Sequence, residues 1–382
     1  MNSNNKIRRN YWIDLIEKAW QEKNVIWLAG VRRSGKTFLS QSLDDIEYFD
    51  CEIPRVRNLM DDPEMFLNNI RGKRVILDEI HRLPNPTELL KIGADYFPDT
   101  KILATGSSSL ASSMKFRDTL TGRRYIISLT PAGNQDMVDF EITDLSRRLQ
   151  FGGLPPYLLS DEFPERSYQD WMDAFWSKDI ETLFSVDKRD SFLKFAELLL
   201  IRSSGLFEAT RFARECSISR QTVNSYLTIL ENTFFVYVIR PFSSRNASEI
   251  VLIPKVYAFD TGFVCCHKSI SELRPDDYGF LWEHLVLNEL TLNLQSRRIN
   301  FWRDKRGHEI DFVIVKKGIP IAIECKWKSS NFEVDAMLSF KRIYPKSRFY
   351  AVCGDMKGSF VKNIKDINVE FIGLEKIKAI FR

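Results

Sequence analysis

Apolar positions in this chain fall into short unbroken runs and longer stretches at helical spacing. Val25–Ala29 (V-I-W-L-A), Val75–Leu77, the segment from Lys101 to Ala104 and Tyr125–Leu129 read as strands, the first three buried on both faces. Polar, helix-compatible segments lie between them, an alternation that predicts an α/β unit with a parallel sheet. Residues 136–185 mix aromatics with charges and read as a helical lid, with Phe151-Gly152-Gly153-Leu154-Pro155-Pro156 as a turn. Ser191–Ser204 and Glu208–Glu215 then have helical spacing, and Arg220–Glu231 follows a tight turn with Ser219 placed to cap it. With the apolar strand Phe234–Ile239 this is the order of a helix-turn-helix with a wing. The last third returns to strands: Phe301–Arg303, Glu309–Val315 and Ile319–Ile323, the latter two joined by a Lys316-Lys317-Gly318 turn. The expected division is 1–135, 136–190, 191–245 and 246–382.

Composition narrows the setting. The length of 382 residues suits two or three domains, and 44% hydrophobic residues with mixed charges is a globular profile. No run approaches the roughly 18 apolar residues that span a bilayer, and Met1–Asn10 lacks the apolar centre of a signal peptide, so no membrane and a cytoplasmic location are expected. Six cysteines without a CxxC pair fit a reducing compartment and argue against a zinc cluster. Cys265-Cys266-His267 reads as strand, whose neighbouring side chains point apart, and so as packing. The net charge of +4 singles out no partner. Between Arg297 and Lys328, however, nine Lys/Arg stand against four Asp/Glu, a basic face that either meets a phosphate backbone or is merely solvated.

The first run leads into G-V-R-R-S-G-K-T, Gly30–Thr37, and then a helix-compatible stretch, Phe38–Leu43. Strand, glycine-rich loop and helix in this order make a phosphate cradle, because glycines let backbone N–H groups turn inward towards a helix N-terminus. Gly30, Arg33, Ser34 and Gly35 are the expected loop contacts to ATP. Lys36 should reach the β- and γ-phosphates and the Thr37 hydroxyl should ligate Mg²⁺. The run Val75–Leu77 ends in Asp78-Glu79, where Asp78 would hold Mg²⁺ and Glu79 would polarise the attacking water. The segment from Lys101 ends in Thr105-Gly106-Ser107-Ser108, offering hydroxyls near the γ-phosphate.

Here the chain resembles the AAA-type ATPases. The resemblance implies Thr105 or Ser107 as the sensor residue, and Arg123, with Arg124 as the alternative, as an arginine finger reaching a neighbouring subunit, hence a homo-oligomer. Over its whole length the chain is similar to a prokaryotic family that joins such an ATPase to a winged helix and a restriction-endonuclease-like domain. The stretches concerned are G-V-R-R-S-G-K-T, I-L-D-E-I, A-T-G-S-S, L-T-G-R-R, F-G-G-L-P-P-Y and P-K-V-Y-A-F-D-T-G. Val31 departs from the usual proline and His81 from the glutamine that often follows D-E-I; neither removes a phosphate or metal contact. In a winged helix that binds DNA, Arg220, Gln221, Thr222 and Asn224 would face the major groove; the alternative is an assembly or spacer module.

On the C-terminal hairpin Glu324 and Lys326 share a face, with Cys325 on the other, and Asp311 lies on the opposite arm. Two carboxylates and a lysine can hold Mg²⁺, activate water and neutralise a pentacovalent phosphate. The spacing D-x12-E-x-K resembles the PD-(D/E)xK nuclease core, with Ile310 where proline is usual. That resemblance implies a further metal-binding acid on an upstream helix, Glu283 first and Glu289 second. The expected function is ATP hydrolysis coupled to nucleic-acid engagement, DNA first, with metal-dependent phosphodiester cleavage. A non-cutting, ATP-dependent binding or assembly switch on an inactive nuclease fold is the alternative.

Overall fold

A computed structural model describes residues 7–106, 120–181, 184, 186, 188–243 and 253–381. Its first sheet is parallel, built from β1 (Val25–Ala29), β2 (Glu47–Asp50), β3 (Arg74–Asp78), β4 (Lys101–Thr105) and β5 (Arg124–Ser128), in the order β2-β3-β4-β1-β5. Alternate residues of β1 serve opposite layers. Val25, Trp27 and Ala29 pack with Leu89 and Leu90 of the helix Pro86–Tyr96, whereas Ile26 and Leu28 pack with Trp12, Ile16 and Trp20 of the helix Asn10–Glu22. Insertion of β4 between β1 and β3 leaves room for a nucleotide between the loop after β1 and the acidic end of β3. The half-buried edge strand β2 has no apolar run to announce it.

The helices Asn134–Asp139, Leu145–Phe151, Pro155–Leu158 and Glu165–Phe175, with a π-helical turn Trp176–Ile180, make up the region expected as a lid. Next come the helix Arg189–Ile201, β6 (Gly205–Leu206), the helices Ala209–Cys216 and Arg220–Asn232, β7 (Val236–Pro241) and β8 (Lys255–Ala258). The Ser219 hydroxyl accepts from the Thr222 N–H at 3.0 Å, the expected cap. Strand β8 pairs antiparallel with both β6 and β7. That pairing runs across the expected division at 245/246.

Strand β7 also pairs parallel with β9 (Asn300–Arg303), which fuses this hairpin to a larger sheet. The rest of it is β10 (Glu309–Lys316), β11 (Ile319–Lys326), β12 (Arg348–Cys353), β13 (Ser359–Ile364) and β14 (Ile367–Ile372), in the order β13-β14-β12-β11-β10-β9-β7-β8-β6. The helix Asp277–Leu294 is apolar nearly all round and buried along most of its length, as a helix packed between two layers must be. Its Asn288 amide donates to the Pro131 carbonyl at 3.0 Å, beside the ATPase sheet, while Trp282 donates to Val352 of β12 at 2.9 Å.

Two of the glycine-containing stretches interlock. Gly152 has φ +74°, and a Cβ there would lie 1.9 Å from Asp260 Oδ1. The Gly153 N–H donates to Asp260 Oδ2 at 2.6 Å, and buried Arg148 ties Ala132 O (2.7 Å) to Thr261 Oγ1 (3.1 Å). Asp260 also accepts from the Gly262 N–H at 2.9 Å and so starts the helix Thr261–His267. Cys265-Cys266-His267 is therefore helical, not strand as expected, because Asp260 caps a turn. Among the described residues no helix is long and apolar enough to cross a membrane.

Candidate functional site

The loop after β1 closes tightly on its surroundings. A Cβ on Gly30 would come within 2.6 Å of Leu129 O, and Gly35 takes φ +92° just before the helix Lys36–Gln41. Lys36 Nζ donates to the carbonyls of Gly30 (2.9 Å) and Val31 (3.0 Å), and its burial lowers its pKa. Ser34 Oγ is buried with no protein partner among the described residues. Arg33 NH1 donates to the Tyr157 hydroxyl at 3.1 Å. Buried Arg9, anchored by Asp136 at 2.7 Å, donates to the Ser34 carbonyl at 2.8 Å and braces the loop from behind.

Three hydroxyls converge on Asp78 at the end of β3. Thr37 Oγ1 and the Tyr48 hydroxyl donate to Oδ2 at 2.8 and 2.5 Å, and Thr105 donates to Oδ1. Thr105 Oγ1 in turn accepts from the Glu79 N–H at 3.2 Å. Glu79 itself adopts φ +52°, a left-handed conformation that sends its carboxylate into the cleft next to His81 Nδ1 at 3.1 Å. Burial pushes the Glu79 pKa up, but the His81 contact and the Lys36 ammonium more than offset it, and the net shift is downward. Glu79 is thus an ionised acceptor.

Gly30, Gly35, Lys36, Thr37, Glu79 and His81 line a cavity of about 610 Å³, with Pro155, Pro156, Leu159 and Asp179 of the lid on its far side. Arg32 Nε pairs with Asp179 Oδ2 at 2.9 Å, and Trp171 Nε1 donates to the Arg32 carbonyl at 3.0 Å. Of the residues that sequence reading placed here, Gly30, Arg33, Gly35, Lys36, Thr37 and Glu79 line the cavity, while Ser34, Asp78 and Thr105 lie buried beside it. That reading did not single out Arg32, although Arg32 lies inside the motif. Arg9, Tyr48 and Asp179 gave no local signal. Ser107 lies outside the described residues. Arg123 stands apart, at the start of β5 and the opposite end of the strands, ion-paired with Asp95 at 2.7 Å.

A second cluster forms in the large sheet. Phe312 of β10 faces Ile323 of β11, so the next step brings Asp311 opposite Glu324. Asp311 Oδ2 accepts from the Cys325 N–H at 2.7 Å, and Glu324 Oε2 pairs with Lys326 Nζ at 3.2 Å. Glu283, from the helix Asp277–Leu294, accepts from the Tyr257 hydroxyl of β8 at 3.1 Å. Burial, then the Asp311 charge, pushes Glu283 up to about 8 and Glu324 well above the carboxylate range. Burial opposes the Lys326 charge, yet Glu324 and Asp311 hold it above the usual lysine value. Glu324 Oε1 is buried with no hydrogen-bond partner among the described residues. Lys255, also on β8, pairs with Glu309 and feels Asp311 and Glu283; neither Lys255 nor Tyr257 was anticipated.

Glu283, Asp311, Glu324 and Lys326 therefore come together, and Glu289 does not join them. Six positions on, it is turned by about 240°, where Asn134 N–H donates to it and burial raises its pKa to about 7. Among the described residues no group of three or more His, Cys, Asp or Glu side chains is gathered closely enough to hold a metal ion.

Residues 22–137 match a family described as an AAA domain, residues 142–274 a domain of unknown function, DUF8612, and residues 278–372 another, DUF4143. A protein of Mycobacterium tuberculosis described as uncharacterised is 26% identical over 331 residues, 82% of this chain and 73% of its own. An uncharacterised protein of Haemophilus influenzae is 22% identical over 376 residues, 89% of this chain and 92% of its own. Among solved structures, a Walker-type ATPase of Pyrococcus abyssi is similar with a TM-score of 0.45 and 15% identity, covering 69% of this chain and 96% of that one. The amino-terminal part of the chain is a P-loop ATPase domain.

Proposed function

We propose that ATP hydrolysis in the P-loop domain drives engagement of nucleic acid, DNA first, and that the C-terminal cluster cleaves phosphodiester bonds. The observation that supports cleavage most is the meeting of Asp311, Glu324 and Lys326 with Glu283 from a separate helix, around a buried Glu324 oxygen that finds no partner among the described residues. Oxygen donors are the ligands Mg²⁺ prefers: Thr37 and Asp78 would hold it at the first site, and at the second Glu283, Asp311 and Glu324 would have to draw closer than they stand here. When bound, the ion would neutralise phosphate charge and acidify a water. Lys326 would meet the developing charge on the phosphate.

A winged helix is supported by the order helix, short strand, two helices, hairpin, with β8 between β6 and β7. Arg220, Gln221 and Asn224 are exposed at the start of the second helix, and Thr222 half so, where a major groove would meet them. Arg123 brings homo-oligomerisation into this reading, since from its end of the strands it reaches a nucleotide only on another copy. A second reading has its own support: Lys326 pairs with Glu324 and Lys255 with Glu309, so the pocket partly neutralises itself and can serve a fold that binds without cutting.

The deciding experiment incubates plasmid, single-stranded and branched DNA, and RNA, with the full chain in Mg²⁺ or Mn²⁺, with and without ATP. Cleavage by the wild type that Asp311→Ala abolishes while ATPase activity persists is the expected outcome. Binding without cleavage of any substrate leaves the non-cutting switch as the function.

A further inference from the structure

ATP hydrolysis needs a cation that meets the charge growing on the γ-phosphate in the transition state. Arg123 is remote from the chain's own cavity. Among the cations that line that cavity, Arg33 is committed to the Tyr157 hydroxyl at 3.1 Å from a backbone at φ +63°. Arg32 is placed differently. Its side chain lines the cavity with Lys36 and Glu79, and its charge acts on both of them. Its carbonyl is pinned by Trp171 at 3.0 Å, so the stem starts from a fixed point.

Among the described residues, one carboxylate of the lid holds the guanidinium. Asp179 contacts Arg32 Nε at 2.9 Å and belongs to the π-helical turn Trp176–Ile180, which ends the helix Glu165–Phe175. Such turns are strained variants of the α-helix and recur at functional sites. The Arg32 side chain keeps 28% of its exposure and is part of the cavity lining.

We propose that Arg32 is a catalytic cation of ATP hydrolysis acting within its own chain, held by Asp179 in this state and handed to the γ-phosphate when nucleotide fills the cavity. In the step itself water oxygen bonds to the γ-phosphorus while the bond from that phosphorus to the β–γ bridging oxygen breaks. ADP leaves with the bond electrons, and the water proton passes by way of Glu79 to solvent, giving ADP, phosphate and one proton. The guanidinium neither gains nor loses a proton; its planar fork holds the equatorial oxygens as their charge rises. Asp179 is a positioning residue, and through it the lid sets when the charge arrives.

The test compares Arg32→Ala, Arg32→Lys and Asp179→Asn in the full-length protein by kcat, ADP affinity and affinity for ADP with aluminium fluoride, a mimic of the transferred phosphoryl group. Arg32→Ala should lower kcat by about 10³-fold and lose aluminium fluoride capture, while ADP affinity stays within about threefold. Arg32→Lys, which keeps the charge without the fork, should fall between and guards against a folding defect in the alanine variant. Asp179→Asn should raise kcat, because the restraint that withholds the guanidinium from the γ-phosphate is gone. A purely structural ion pair predicts that both ends matter alike. Equal losses in Arg32→Ala and Asp179→Asn, or undiminished aluminium fluoride capture by Arg32→Ala, would overturn the proposal.

Discussion

The two acidic clusters use the same side chains in opposite electrostatic regimes. At the end of β3, Asp78 is surrounded by hydroxyl donors from Thr37, Tyr48 and Thr105, and Glu79 sits beside His81 with its pKa held below the usual value. In the large sheet, Glu283 and Glu324 are crowded against Asp311 and their pKa values rise. Burial costs a carboxylate its hydration in both places; what differs is whether donors or further carboxylates replace the water. The first site is satisfied before any ligand arrives and needs only a phosphate, which brings its own cation. The second holds more negative charge than its two lysines balance, so a cation or a proton completes it.

The largest effect expected of this difference is at the satisfied site. Glu79→Gln keeps the shape and the backbone N–H contact to Thr105, but the group can no longer accept a proton from water. Hydrolysis should fall by about 10²–10³-fold with ATP affinity nearly unchanged, as a single-turnover assay and an equilibrium binding titration would show. Lys36→Ala, by contrast, should lose binding itself. Wild-type turnover in Glu79→Gln would remove Glu79 from water activation and break the contrast between the two acidic clusters.

Legibility along the chain follows the distance over which each site is assembled. Loop, lysine and hydroxyl are contiguous from Gly30 to Thr37, and Asp311, Glu324 and Lys326 are joined by one short hairpin, so local pattern sufficed for both. Tyr48 and Asp179 reach the first site only because β2 adds to an edge and the lid folds back. Lys255 and Tyr257 reach the second only because β8 joins the sheet through β7 and its parallel pairing with β9. The upstream acid was ambiguous because the helix carrying Glu283 and Glu289 is apolar on nearly every face, which leaves no stripe to orient it. The misread strand at Cys265 has a similar cause: an apolar run suits either structure, and Asp260 decided for helix by capping it.

The interlock of Gly152 and Gly153 with Asp260 connects the two regions, since the lid that covers the nucleotide cavity meets the segment leading from β8, which supplies Lys255 and Tyr257. Gly152→Ala places a methyl group 1.9 Å from Asp260 Oδ1 in a backbone at φ +74°. Asp260 is fixed by the N–H groups of Gly153 and Gly262 and has little room to yield. A loss of about 3 kcal/mol is expected, combining overpacking with left-handed strain. Gly307→Ala, at φ +90° with nothing within 4 Å, isolates the strain and should cost about 1 kcal/mol. Urea titrations of both variants measure the difference. Equal costs would mean that Asp260 moves aside and the two regions are not locked together there.

The smallest effect tests the buried acid that belongs to neither cluster. Glu289 is held up to about 7 by burial, against 4.5 for an ordinary glutamate. Below about pH 4.5 both folded and unfolded chains carry its proton, and it contributes nothing to the pH dependence. As pH rises from there towards 7, the unfolded chain ionises while the folded one keeps its proton, so stability falls; above 7 the whole penalty is present. Glu289→Gln removes that titration and leaves a carbonyl oxygen for the Asn134 N–H to reach. The variant should gain about 1–2 kcal/mol over wild type at pH 8, within the ceiling that the shift allows, and nearly nothing at pH 5. Chemical denaturation of both proteins at the two pH values gives the comparison directly. A variant less stable than wild type at pH 8 but not at pH 5 would mean that the folded protein uses a charged carboxylate, with Arg148 nearby as its counter-ion. The helix Asp277–Leu294 would then be fixed to the lid by an ion pair instead of a protonated acid.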